Sequence, residues 1–199
     1  MTTVKKILNF TETFAPIMSA ADFDNCGVLV GSVYTPVTKV LLALDITREV
    51  IEEAKEIGAE LIISHHPVIF HPLKNLEKDS VPYLLANSDI TALCLHTNLD
   101  IAKDCGVNVC LADALSLSDC ELYGEEFLLT GKLPKSMSIK EFAEYVKKSL
   151  NSTSVLFTDS DREIKTVALC SGAGADFYHL AKERVPMYSL QARHDTTNF

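Results

Sequence analysis

The stretch Leu61-Ile62-Ile63-Ser64-His65-His66-Pro67 decides how this chain is read. Its apolar run has the length and the β-branched content of a buried strand. Pro67 holds His66 toward an extended backbone and ends the ladder. In an open α/β sheet, ligands gather outside the carboxyl ends of the strands, so both imidazoles stand where a site is expected. A second apolar run, Ile90-Thr91-Ala92-Leu93-Cys94-Leu95, ends the same way, in His96-Thr97-Asn98-Leu99-Asp100. Two strand ends carrying three histidines and an aspartate read as part of a metal site.

Outward from that pair, Lys39-Val40-Leu41-Leu42-Ala43-Leu44-Asp45 reads as a further buried strand. Thr47 can cap a helix over 48–57 that Gly58 ends. This strand–helix–strand unit has the form of a parallel βαβ crossover. Upstream lie near-helical apolar spacing over 4–18, a polar loop at Ala20–Asn25 and a glycine-bracketed strand at Gly27–Gly31. Downstream, a loop over 67–80 and a short helix over 81–87 lead into the second site strand, and a helix over 107–115 follows Gly106. A strand over 121–133, a helix over 139–149 capped by Ser138, strands over 153–158 and 165–170, and a helix over 176–184 complete the pattern. Strands alternating with helices make the fold class α/β, three-layer, with a mixed, largely parallel sheet flanked by helices. Residues 1–184 read as a single domain. Residues 185–199 show no periodicity, and no clear next strand follows the last helix.

The formal net charge of −9 argues against a nucleic-acid backbone or an anionic membrane as the main partner. A hydrophobic content of 47% supports a full core. No apolar stretch approaches the roughly 18 residues of a membrane span. Lys5 and Lys6 precede an amphipathic segment carrying Asn9, Thr11 and Glu12, which is not a signal-peptide core. Six cysteines, at 26, 94, 105, 110, 120 and 170, form no Cys-x-x-Cys pair. A reducing cytoplasm is the expected location, and Cys94 reads as a small hydrophobe within its strand.

A set of histidine and aspartate suits first-row metals. Neighbours on a strand point to opposite faces. His65 and His66 would then serve two adjacent ions, or one would ligate while the other supports it. The plainer alternative is a polar, half-buried strand end. Asp100 can give a metal an oxygen, or can be a cap or turn residue. His96, Thr97 and Asn98 can hold ligands through hydrogen bonds. Asp22, Asp24 and Asn25 could face the site, although their residue types favour an Asx-turn. His71 reads as a loop residue and His179 as packing on a helix. The Gly172–Gly174 turn could present N–H groups to a phosphate, with a tight turn the simpler reading.

Taken in order, Asp22-Phe23-Asp24-Asn25-Cys26-Gly27-Val28-Leu29-Val30-Gly31, Leu44-Asp45-Ile46-Thr47, Ile63-Ser64-His65-His66-Pro67-Val68-Ile69-Phe70, His96-Thr97-Asn98-Leu99-Asp100 and Gly106-Val107-Asn108 resemble the NIF-three-like dinuclear metal-centre family. Its members carry the name GTP cyclohydrolase 1 type 2 homologues. The likeness covers roughly residues 1–184, with Phe23 where the family usually has tryptophan. It implies cytoplasmic α/β proteins that assemble into toroidal hexamers, with sites facing an internal cavity. It also implies two divalent ions per site, drawn from Zn, Fe, Mn, Ni or Mg. By motif, His65, His66 and Asp100 would be ligands, with His96 close by. The family's remaining ligands come from a C-terminal His-x-x-x-Glu block. Residues 185–199 do not match that block, and no glutamate follows His194. A truncation or a shifted reading frame is the expectation there, with one weakly held metal or none.

The implied function is a metal-dependent hydrolase of a nucleotide or phosphoester, with GTP ring opening as the family name has it. No P-loop stands in the chain. The alternatives are a ring-forming metal-binding or adaptor protein without turnover, and an inactive truncated member. The implied partners are further copies of the chain and a small phosphorylated or nucleotide ligand, with no nucleic acid and no membrane.

Overall fold

The computed structural model describes residues 1–123, 127–172, 174–184 and 189–191. The chain divides into two compact units, Met1–Leu99 and Asp100–Phe199, within the span read from sequence as one domain. Among the described residues no helix is long and apolar enough to cross a membrane.

The first unit runs β1 (Thr2–Thr3), α1 (Val4–Thr11), β2 (Gly27–Val30), β3 (Pro36–Val37), β4 (Val40–Ala43), α2 (Arg48–Ile57), β5 (Leu61–Ser64), α3 (Val81–Ala86), β6 (Thr91–Cys94) and α4 (Thr97–Asp100). The last residue of α4 opens the second unit. Its main sheet has the order β2-β6-β5-β4. The connections through α2 and α3 make β4, β5 and β6 parallel, and the register aligns Ala43 with Ser64 and Ser64 with Cys94. All three strands therefore end on one rim. At the far side β2 runs antiparallel, pairing Gly27 with Cys94, so its amino end reaches the same rim.

Local chemistry explains the helix that sets this geometry. The Thr47 side chain accepts a hydrogen bond from Val50 N at the start of α2, worth about 1 kcal/mol. Gly58 ends the helix in the left-handed region at φ 68°. Gly31 turns the chain out of β2 at φ 92°, where an added Cβ would lie 2.8 Å from the Thr91 backbone. Ile62 packs with Ile51, Ala54 and Leu85, while Leu61 packs with Val4, Val37 and Leu93. Adjacent residues of β5 point to opposite faces, so α2 and α3 cover one face and α1 the other. Each fully buried Leu, Ile or Val among these contributes about 1.5–3 kcal/mol.

The second unit runs α5 (Val107–Ala114), β7 (Ser118–Tyr123), β8 (Leu128–Ser138), α6 (Ile139–Ser149), β9 (Glu163–Cys170), a 3-10 turn (Gly174–Phe177), α7 (Tyr178–Arg184) and β10 (Ser189–Gln191). Ser138 and Glu141 form a reciprocal capping box at the start of α6. The sheet order is β10-β9-β8-β7, antiparallel except for β10 on β9. Leu129, Leu133, Phe142, Val146, Ile164 and Val167 form its core.

Several expectations change. The largely parallel sheet belongs to the first unit, and a separate, mainly antiparallel sheet forms the second. The strand expected over 121–133 is a hairpin of two strands, β7 and β8. Helix spacing over 4–18 yields a helix only to Thr11, then a 3-10 turn at Ile17–Ser19 just after Pro16. Residues 153–158 form no strand, and Leu156 is left 98% exposed. A strand does follow the last helix, since Ser189–Gln191 pairs parallel with β9. The remaining expectations for the tail, His194 included, lie outside the described residues.

Glu60 ties the entry to β4. Its carboxylate accepts from Lys39 N (3.0 Å), Thr38 N (2.9 Å) and Thr38 Oγ1 (2.8 Å). The backbone N–H groups of Lys39 and Thr38 lead in holding its pKa down to about 2. A folded pKa below the unfolded value of about 4.3 adds stability above that value, and the gain is lost as pH falls through the folded pKa. The urea midpoint of the wild type should therefore exceed that of Glu60→Gln at pH 7, and the gap should close between about pH 4 and pH 2. A gap constant across that range would refute this role.

Candidate metal centre

β5 ends at Ser64, so His65 and His66 stand beyond the strand, where strict alternation no longer holds. The backbone bends there: Ser64 Oγ donates to the His66 carbonyl (2.9 Å), while His65 N and His66 N donate to the Ala43 and Leu44 carbonyls (3.2 and 2.9 Å). The two imidazoles consequently share one side. Their ring centroids are 5.1 Å apart, and His96, just past β6, lies 5.1 Å from His65 and 5.6 Å from His66. One ring nitrogen from each of the three falls within 4.8 Å of the others. The opposite-face expectation for His65 and His66 is thus corrected by the early end of β5.

Each ring is oriented through Nδ1. His65 Nδ1 lies 3.1 Å from the Leu95 carbonyl, His66 Nδ1 2.7 Å from Asp45 Oδ1, and His96 Nδ1 2.9 Å from Asp24 Oδ1. A carbonyl or carboxylate oxygen only accepts, so each Nδ1 donates, and in the neutral ring Nε2 is the nitrogen left to ligate a metal. Such partners fix the tautomer and raise ligand basicity in histidine metal sites. A single ion about 2.1 Å from three nitrogens places those nitrogens about 3–4 Å apart, within reach of this cluster. The donor set fits a metal ion.

Asp24 is the residue that sequence reading undervalued. Its side chain is 0% exposed. Oδ1 accepts from His96 Nδ1 and Asn25 N (2.7 Å); Oδ2 accepts from Thr97 N (3.1 Å), Thr97 Oγ1 and the Cys26 thiol (3.2 Å). Burial works to raise its pKa. The hydrogen bonds from His96 and Thr97, the nearby His96 ring and the Cys26 thiol overcome that and hold the carboxyl well below the usual carboxylate range. The bond to Asn25 N is the expected Asx feature, and the same carboxylate also orients a candidate ligand. The signal available was β2: an antiparallel edge strand would have carried Asp24 to the rim.

The other residues take supporting places. Thr97 Oγ1 also accepts from Ala21 N (3.0 Å). Asn98, 0% exposed, accepts from His96 N (2.9 Å) and donates to the Ala15 carbonyl (2.8 Å). Asp45, expected only as a strand end, anchors His66. The Cys26 thiol, burial and the Asp24 charge push the Cys94 thiol well above its usual range, so it stays protonated, as a small hydrophobe should. Asp100 closes α4 at 8% exposure and belongs to the second unit. His71 lies exposed in its loop, and His179 is exposed on α7 rather than packed. The Gly172–Gly174 turn is only partly within the described residues; Gly172 has φ 65°.

Fold and site define a mixed α/β protein with a three-histidine cluster able to hold a metal ion. The sequence model of the Duf34/NIF3 (NGG1p interacting factor 3) family matches residues 2–187, and the chain belongs to that family. A GTP cyclohydrolase 1 type 2 homolog of Clostridium perfringens (strain 13 / Type A) is 34% identical over 189 residues, covering 89% of this chain and 72% of its own. Its counterpart in Clostridium acetobutylicum is 31% identical over 194 residues, covering 91% and 72%. Among solved structures, reduced HcgD from Methanocaldococcus jannaschii is 29% identical with a TM-score of 0.74, covering 97% of this chain and 80% of that one. A Bacillus cereus protein related to NIF3 shares the fold, with a TM-score of 0.84 at 23% identity, covering 99% and 83%.

Removing the carboxylate behind His96 should weaken metal binding without removing a ligand. Asp24→Asn is expected to lower zinc affinity about 10–100-fold in a chelator competition titration. An unchanged affinity in the folded variant would refute the anchoring role.

Proposed function

We propose that this chain is a divalent-metal-dependent hydrolase of a nucleotide or phosphoester, with His65, His66 and His96 as metal ligands and Asp100 added by family resemblance. The observation that carries the reading is the set of three clustered imidazoles, each held by an acceptor at Nδ1, the arrangement that aims Nε2 of a neutral ring at a metal. When bound, a divalent ion supplies Lewis-acid polarisation and activates water near neutral pH. The chain's own residues bind and orient. The Asp24 and Asp45 carboxylates fix His96 and His66, and Asn98 fixes the backbone of His96. Of the ions the family resemblance implies, Zn, Fe or Ni suits imidazole nitrogen better than Mn or Mg does.

The names of the Clostridium relatives support a guanine nucleotide as substrate. The family resemblance supports two ions per site, a ring of six copies and a cytoplasmic location. Self-association draws further support from β4, a sheet edge with Leu42 73% and Leu44 52% exposed.

The test is metal content by plasma mass spectrometry, with nucleotide hydrolysis assayed on the same size-exclusion peak. The wild type should carry at least about one equivalent. His65→Ala should lose metal and turnover while eluting at the same volume. Turnover that survives His65→Ala would contradict the hydrolase reading. Assembly and partner binding that persist without metal or turnover in the wild type would favour a non-enzymatic adaptor.

A further inference from the structure

Two aromatic side chains line the rim beside the histidines, and the metal cluster does not use them. Phe23 is 66% and Phe70 38% exposed. Their ring centroids are 6.4 Å apart and tilted by 59°. Phe70 also stands edge-on to His96, at 6.4 Å and 84°, so the aromatic surface runs outward from the cluster without a break.

A hydrogen bond holds this surface together. Asn25 Nδ2 donates to the Ile69 carbonyl at 2.6 Å. It joins the loop carrying Phe23 to the loop carrying Phe70, one residue from Phe70 and two from Phe23. Both rings are thus set by their loops; Phe23 is left largely in water and Phe70 in part, where further burial would be favourable. The neighbouring rim is polar: Asp45 is 41% and His66 35% exposed at the side chain. An aliphatic partner would match the rings but offer no polar edge to the half-exposed Asp45–His66 pair beside them. A flat heteroaromatic ring stacks on a phenyl face and offers polar edges as well.

We propose that Phe23 and Phe70 form the subsite for a flat heteroaromatic ring of nucleobase size, on a ligand whose polar end is carried toward His96. This deepens the hydrolase reading and rests on it for the role of that polar end.

The experiment is calorimetric titration of adenosine and guanosine 5′-monophosphates, and of ribose 5-phosphate as the ring-free probe, into metal-loaded and chelator-treated protein. Phe23→Ala and Phe70→Ala should each weaken nucleotide binding about ten-fold, and Phe70→Tyr should retain it. Ribose 5-phosphate affinity should be the same in every variant. Equal nucleotide affinity in wild type and alanine variants, or no nucleotide binding to the wild type, would overturn the subsite. So would a parallel loss of ribose 5-phosphate binding. A later size-exclusion elution on Phe70→Ala would show that the rings cover another copy of the chain, and would also overturn it. The two readings fail separately. Wild-type protein that takes up no metal contradicts the hydrolase, while a phenylalanine-dependent nucleotide affinity in chelator-treated protein still supports the subsite.

Discussion

A buried carboxylate must be surrounded by donors or not be charged at all. Asp24 meets that demand, and much of the rim follows from it. Its two oxygens gather His96, Asn25, both donors of Thr97 and the Cys26 thiol. One side chain thereby fixes the loop before β2, the turn after β6 and the orientation of a candidate metal ligand. Leaving such a charge without its donors costs several kcal/mol. Asn98, also fully buried, repeats the pattern with neutral partners, and the Cys26 thiol lies 3.2 Å from an oxygen of each of the two side chains.

The sheet makes this meeting possible. Parallel strands β4, β5 and β6 end in register, so Asp45, His65, His66 and His96 arrive at one edge by chain direction alone. The antiparallel β2 contributes its beginning instead of its end, which brings residues 24–26 to that same edge. Each imidazole then finds its acceptor on a different segment: Leu95 after β6, Asp45 after β4, Asp24 before β2. The cluster is built from four strand ends, and helices on both faces of the sheet hold those strands in place.

Much of the first unit was legible in the sequence, because its signals are local. Thr47 and Gly58 mark α2 to the residue, and the stretches 39–45, 61–66 and 90–95 mark β4, β5 and β6 to within two residues at each end. The histidines were legible as strand-end polar groups. What the residues did not disclose is relational. Nothing local tells that β5 stops at Ser64, one residue short of the point where alternation would have parted His65 from His66. Nothing local tells that Asp24 answers His96, which lies 72 residues away. The second unit was read less well for the same reason. Residues 153–158 have strand composition, yet pairing depends on a neighbouring strand, and they join no sheet.

Membership in the Duf34/NIF3 family places the chain among relatives that share its fold across nearly its whole length. Within that fold, three imidazoles oriented through Nδ1 gather where a metal ion could lie between them. X-ray absorption at the zinc edge of the zinc-loaded protein tests this most directly. The structure predicts about three nitrogen scatterers at about 2.0–2.1 Å with imidazole outer-shell scattering. A shell of oxygens alone, without imidazole scattering, would contradict it.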